Sequence, residues 1–251
     1  MERPSSQKAQ PGNNGYSLIH RSETYLVVNK MAGVLSVPGR YDDPDDNLTA
    51  FLNSEYGKVY VVHRLDRDTS GIMLYALTPE THREFSMMFE HQNIQKIYDA
   101  VLEGEPVQDY DIDIPITSDP SKKGKSMPAG DGKPSLTKMK VEERYGRASL
   151  VKCDLVTGRH HQLRVHVSTI GNPLLIDPLY GEREEFFLSE FKRKFNTKKG
   201  TEEKALISRI TMHAKSLTFN CPDKGEEVSY EADWPKDFRA LVNQLRKLKK
   251  R

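Results

Sequence analysis

The stretch from Val59 to Leu77 constrains the fold most. It holds two short runs rich in β-branched, aromatic and aliphatic residues, Val59–Val62 and Ile72–Leu77. Each is too short for an ordinary helix, so both read as buried strands. Between them stand His63, Arg64, Asp66, Arg67 and Asp68. So many groups that resist burial, set between two core strands, must line a cleft or face solvent. The two carboxylates differ in setting. Asp68 precedes Thr69-Ser70-Gly71 and fits an aspartate that bonds the backbone two residues on and closes the turn. Asp66 follows apolar Leu65, which can anchor it, and is the candidate for chemistry, although an isolated turn aspartate is more often a solvated cap.

Two other chemistries share some of these letters. Asp66-x-Asp68-x-Ser70-Gly71 imitates the first half of a calcium loop, but the twelfth position, which must supply a bidentate carboxylate, is Leu77. An aspartate-nucleophile phosphotransferase would carry a strand running into Asp-x-Asp-x-Thr. Here the threonine comes one place early, and His63 and Arg64 interrupt the apolar run.

Outside this stretch the chain alternates strand and helix patterns without a repeat or a clear domain boundary. Tyr25–Lys30 reads as a strand, Val34–Gly39 as a second extended piece, and Leu48–Tyr56 as a short helix. Thr78–Glu90 is helical, with Pro79 suited to a first position and Phe85, Met88 and Phe89 at helical spacing. Lys96–Gly104 alternates as a strand. Leu136–Glu143 and Ala148–Leu155 read as a strand pair. Leu163, Val167 and Ile170 share a helical face that stops at Gly171, and Arg164 lies near its start, off the apolar stripe. Residues 1–14, rich in Pro, Ser, Gln, Gly and Asn, read as a disordered leader. Glu182–Arg209 reads as a mixed-charge excursion, and the tail from Lys236 as an amphipathic helix with a basic end.

The net charge of +2 is too mild to demonstrate a nucleic-acid partner, so local clusters such as Ser121–Lys125 must carry that argument. The two cysteines, Cys153 and Cys221, have no metal-type spacing and suit a reducing, cytoplasmic setting. No apolar run approaches a membrane span, and no membrane partner is expected. His160, His161 and His166 lack the carboxylate or cysteine that would complete a zinc spacing, so no metal is expected.

His63-Arg64-Leu65-Asp66-x-x-Thr69-Ser70-Gly71 resembles the signature of the RluA family of pseudouridine synthases. Lys96-Ile97-Tyr98 is similar to that family's second motif. Gly158-Arg159-His160-His161-Gln162-Leu163-Arg164-Val165-His166 resembles its Gly-Arg-x-His-Gln-Leu-Arg-x-His block, with His160 where Thr or Ser is usual. Asn29-Lys30-Met31-Ala32-Gly33 matches Asn-Lys-Pro-x-Gly apart from Met31, and Asn172-Pro173-Leu174, Asp177–Gly181 and Met212-His213-Ala214 match as well. Leu35–Arg40 resembles the short subgroup acting on both ribosomal and transfer RNA.

The resemblance implies an α+β fold: one catalytic domain over 15–251, without a separate N-terminal RNA-binding domain, on a mixed, mainly antiparallel sheet flanked by helices, with a central cleft. It implies isomerisation of loop uridines in large-subunit ribosomal RNA, in the anticodon stem-loop of transfer RNA, or in transfer RNA alone, by a monomer without metal or organic cofactor. Asp66 becomes the catalytic carboxylate, as nucleophile or base, and Arg164 its partner. A neighbouring guanidinium favours the charged carboxylate by roughly 1.4–4 kcal/mol. Tyr98 becomes the ring on which the flipped base stacks. Taken without the resemblance, a strand tyrosine packs in the core. RNA contacts fall to Arg64, Lys96, Arg159 and His161. A non-catalytic RNA-binding protein is the competing class; it explains the basic clusters and leaves Asp66 without a purpose.

Overall fold

The computed structural model describes residues 15–39, 43–192 and 202–249. The expected leader, Arg40, and the lysines at 194, 198 and 199 lie outside them. In chain order the elements are β1 (Tyr16–Arg21), β2 (Tyr25–Lys30), α1 (Leu48–Tyr56), β3 (Tyr60–Val61), β4 (Ser70–Ala76), α2 (Pro79–Glu90) and β5 (Gln95–Glu103). Then follow β6 (Tyr110–Asp113), β7 (Ile116–Ser118), β8 (Ser126–Pro128), β9 (Leu136–Arg144), β10 (Ala148–Leu155) and α3 (Gln162–Thr169). The last are a short 3₁₀ turn at Leu188–Glu190, β11 (Met212–Asn220), β12 (Glu227–Glu231) and α4 (Lys236–Lys249). This is the expected mixed α+β class with a mainly antiparallel sheet flanked by helices, four of them α-helices among the described residues. The described residues divide into two compact units, one of 15–96 with 214–233 and one of 97–213 with 234–249.

In the first unit β2 pairs antiparallel with β1 on one side and with β4 on the other, from Tyr25↔Ala76 to Lys30↔Gly71. β4 neighbours β11, and β12 pairs antiparallel with β11. Leu26–Val28 and Ile72–Ala76 are wholly buried, as continuous apolar strands covered on both faces should be. Tyr25, Phe85 and Phe219 meet edge to face, with centroids 5.3–5.9 Å apart, and fasten α2 to the sheet. Helix α2 starts as its sequence suggests: Thr78 accepts the Thr81 N–H and Pro79 occupies the first turn. Gly71 is required by packing. Its φ is +128°, and a Cβ there would lie 2.2 Å from the Ala214 carbonyl oxygen.

One strand expectation needs correction. Val59–Val62 shortens to the two residues of β3, paired to the end of β4, because residues 62–69 leave the sheet to form the charged loop. Val34–Gly39 joins no sheet, its polar groups going to loop contacts instead.

In the second unit β10 lies between β5 and β9, and β9 pairs on with β6, all antiparallel. The period of two sorts the side chains onto two faces. Val101 and Leu150 pack with Phe238, Leu241, Val242 and Leu245 of α4. Ala100, Leu102, Val151 and Cys153 pack with Leu163 and Val167 of α3. Helix α3 therefore sits on one face of this sheet and α4 on the other.

Candidate active site

In the first unit the loop carrying Asp66 is held by its backbone on both sides of that residue. Ser36 Oγ accepts from the Leu65 N–H at 3.1 Å and donates to the Leu65 carbonyl at 2.7 Å. The Leu65 side chain is buried, the anchoring its sequence position suggests. Lys30 is fully buried at the end of β2, and its ammonium donates to three carbonyls: Val34 at 2.7 Å, Arg67 at 2.9 Å and Met31 at 3.0 Å. The Gly33 N–H joins it on the Arg67 carbonyl at 2.9 Å. Residues 65 and 67 are thus each fixed to the neighbouring 31–36 loop, and Asp66 stands between them, half-buried. A buried cation costs several kcal/mol to desolvate, and the carbonyl dipoles recover that only when all three are aimed at it, which makes this arrangement stiff.

The turn closes by main chain, from the Thr69 N–H to the Asp66 carbonyl at 3.2 Å. Asp68 is left exposed, so the expected side-chain closure is replaced by an ordinary backbone turn. His63 is not one of the loop's charges. Its Nε2 accepts the Leu74 N–H at 2.9 Å, and its ring stacks on Phe89 at 4.7 Å between centroids. Burial, followed by the charge of Lys96, pushes its pKa down to about 3. Lys96 is itself buried and donates to the Ile94 carbonyl at 3.1 Å. Arg64 is exposed.

In the second unit the polar cluster centres on Arg164, which is buried at the start of α3. Its guanidinium grips Asp177 with two parallel bonds of 2.7 Å, from Nε to Oδ2 and from Nη2 to Oδ1. Asp177 is wholly buried and also accepts the N–H groups of Leu179 and Tyr180, at 2.9 and 3.1 Å. Arg164 Nη1 lies 3.0 Å from His161 Nε2. An arginine can only donate, so Nε2 accepts and His161 carries its proton on Nδ1, 2.9 Å from the Tyr180 hydroxyl. That hydroxyl also accepts the Ser126 N–H at 2.7 Å, and the Tyr180 ring has Arg164 and Lys125 within 5.0 and 5.3 Å of its centroid. His161 is held in the left-handed region, φ +56°, a cost of order 1 kcal/mol that the surrounding network sustains.

His166, one turn on, spends both ring nitrogens internally, on Thr137 Oγ1 at 2.9 Å and the Ile114 carbonyl at 3.0 Å. Arg159 is exposed, with Nε donating to the Pro134 carbonyl. Tyr98 is half-buried and packs against the cluster that includes Leu163, on the face of β5 that α3 covers. Asp99 turns to the other face and accepts the Trp234 indole N–H at 2.7 Å.

Sequence reasoning did not single out Lys30, Ser36, Asp177 or Tyr180 individually. Each lay inside a stretch that matched the family pattern, and that was the only signal available. The second unit gathers Arg164 and His161 into one network and places Tyr98 on the same sheet face. Asp66, Arg64 and Lys96 belong to the first unit.

Residues 24–169 match the family model described as RNA pseudouridylate synthase. The chain is 33% identical over 252 residues to the ribosomal large subunit pseudouridine synthase D of Neisseria meningitidis serogroup B, an alignment covering 97% of this chain and 65% of that protein. It is 33% identical over 234 residues to the ribosomal large subunit pseudouridine synthase C of Escherichia coli K12, covering 91% of this chain and 70% of that one. Among solved structures, the human RNA pseudouridylate synthase domain containing 4 superposes with a TM-score of 0.72 at 23% identity, over 91% of this chain and 92% of that one. The human domain containing 1 gives 0.66 at 26% identity, over 94% and 97%. The chain belongs to the RNA pseudouridylate synthase family. It spans 65% of the length of the first of these relatives.

Proposed function

We propose that this protein converts uridine to pseudouridine in RNA, with Asp66 as the reacting carboxylate. The observation that carries the reading is the clamped loop: Leu65 and Arg67 are pinned by Ser36 and Lys30, so a carboxylate lies between two immobilised peptides in the middle of the matched family segment. A catalytic group held on a fixed backbone needs no reorganisation at the moment of reaction. Asp66 acts as nucleophile on the sugar or base, or as base toward a sugar proton. Arg164, by the family resemblance, is its guanidinium partner, and Tyr98 the ring that receives the extruded base. Stacking returns roughly 1–3 kcal/mol against a flipping cost of a few kcal/mol, which favours a loop uridine.

The substrate is large-subunit ribosomal RNA, as in the names of the relatives, with the anticodon stem-loop of transfer RNA as a second target. Arg64 and Arg159, both exposed, contact the RNA, as do the more buried Lys96 and His161. The chain acts as a monomer in the cytoplasm, as one catalytic domain over 15–251, without metal or organic cofactor. No helix among the described residues is long and apolar enough to cross a membrane.

The test is pseudouridine mapping of ribosomal and transfer RNA from cells with the wild-type chain, with none, and with Asp66→Asn. At least one site should vanish in both deficient strains. A site that persists with Asp66→Asn removes the assignment of that carboxylate, and sites found only in transfer RNA would correct the substrate.

A further inference from the structure

The antiparallel hairpin of β7 and β8 encloses, with the segment leading into α3, a pocket of about 290 Å³. Among the residues lining it are Thr117, Ser118, Ser126, Lys133, Arg159 and His160; none of its lining residues is acidic. Three nitrogenous side chains and three hydroxyls line one small hollow, a set of donors that suits a tetrahedral oxyanion.

The pocket is built, not a chance gathering of surface groups. Lys133 is fixed in register by reciprocal main-chain bonds with Ile116, at 3.0 and 2.9 Å. The preceding turn is packed so tightly that a Cβ on Gly132 would lie 2.7 Å from the Ile116 carbonyl carbon. Ser126 is buried, and its hydroxyl meets His160 Nδ1 at 3.0 Å. The Arg159 Nε bond to the Pro134 carbonyl fixes the guanidinium by one edge and leaves its Nη donors. The wall is also continuous with the arginine cluster. His160 stacks on His161 at 3.8 Å, His161 bonds Arg164, and the Ser126 N–H bonds Tyr180.

We infer that this pocket holds a backbone phosphate of the RNA substrate, seating the strand beside the Arg164 network. The inference rests on the proposed RNA-modifying function and adds a site to it. The shared chemistry is a phosphate group, and the intended source is an RNA phosphodiester rather than free phosphate.

The test is binding of a short fluorescent oligouridylate as a function of salt. Each phosphate contact on a single strand contributes about 0.7 to the slope of log affinity against log salt. Lys133→Gln should weaken binding several-fold at low salt and reduce the slope by about that amount. Ser118→Ala, which removes no charge, should weaken binding with the slope retained. Lys152→Gln removes the same charge from the exposed position beside Leu150, on the α4 side of the sheet, and should change neither. Inorganic phosphate, added against chloride at equal ionic strength, should compete with the oligouridylate on the wild type and not on Lys133→Gln.

An unchanged slope in Lys133→Gln, an equal loss in Lys152→Gln, or equal competition on both proteins overturns the pocket. Pseudouridine formed by the wild type with an unchanged Lys133→Gln slope removes the pocket and leaves the function. A slope that changes as expected in a protein that forms no pseudouridine removes the function and leaves the phosphate site.

Discussion

The Asp66 loop and the Arg164 cluster solve one problem in opposite ways. Around Asp66, buried polar side chains hold main chain: Lys30 takes three carbonyls and Ser36 both polar groups of Leu65. Around Arg164, buried groups hold a side chain: Asp177 takes one edge of the guanidinium with two bonds and His161 lies against the third nitrogen. A short aspartate has little freedom once the backbone on either side of it is fixed at residues 65 and 67. A long arginine can swing on a rigid helix, so its head must be gripped directly. The comparison teaches that the clamps need as much attention as the groups they aim.

Breaking the second clamp should do most harm. Asp177→Asn removes the buried carboxylate that grips Arg164, and removing one member of a buried ion pair costs about 3–5 kcal/mol. Thermal or urea unfolding measures it, and activity should fall with it even where the protein stays folded. Breaking the first clamp should cost less, because the charge leaves together with its bonds. Lys30→Met strands three carbonyls that the methionine thioether cannot satisfy, a loss of about 2–3 kcal/mol. A Lys30→Met protein as stable as wild type would show that the 31–34 and 67 segments do not depend on the ammonium.

The smallest effect is one of pH, and it sharpens the contrast by probing the strand that follows the Asp66 loop. His63 titrates near 6.5 when unfolded and near 3 when folded, so the unfolded state binds the proton first. The stability it contributes is full above about pH 6.5 and is lost as pH falls toward 3, on the order of 1–2 kcal/mol between pH 7 and 5. Burial lowers the pKa of His20 and His166 too, with the same sign. Melting temperature against pH for wild type and His63→Gln, whose amide oxygen can take the Leu74 bond, should show a shallower acid slope in the variant.

Much of the architecture was legible where signals are local. Helix α2 announced itself by Thr78, Pro79 and its apolar spacing, and the β9–β10 pair by alternation either side of a turn. Strands β1, β6, β7, β8, β11 and β12 carry no clear strand signal: β1 is only half-buried, β12 is mostly exposed, β6–β8 are three or four residues each in a stretch rich in Pro, Gly, Asp and Lys, and β11 takes β4, far off in sequence, as a neighbour besides the adjacent β12. The loop around Asp66 was recognisable as a concentration of charge, yet its mechanics were not. Nothing in the letters distinguishes a lysine that ends a strand in water from one that ends it beneath three carbonyls.

The order of residues alone determined the family pattern, the periodicities that sort side chains to the faces of strands and helices, and the choice of Asp66 over Asp68 as the candidate for chemistry. Only the tertiary structure decided that Lys30 is buried, that Arg164 is gripped by Asp177, and that His63 is neutral. Periodicity is written between near neighbours on the chain. Burial and hydrogen-bond partnership depend on residues brought together from distant positions, and no local pattern encodes which ones those are.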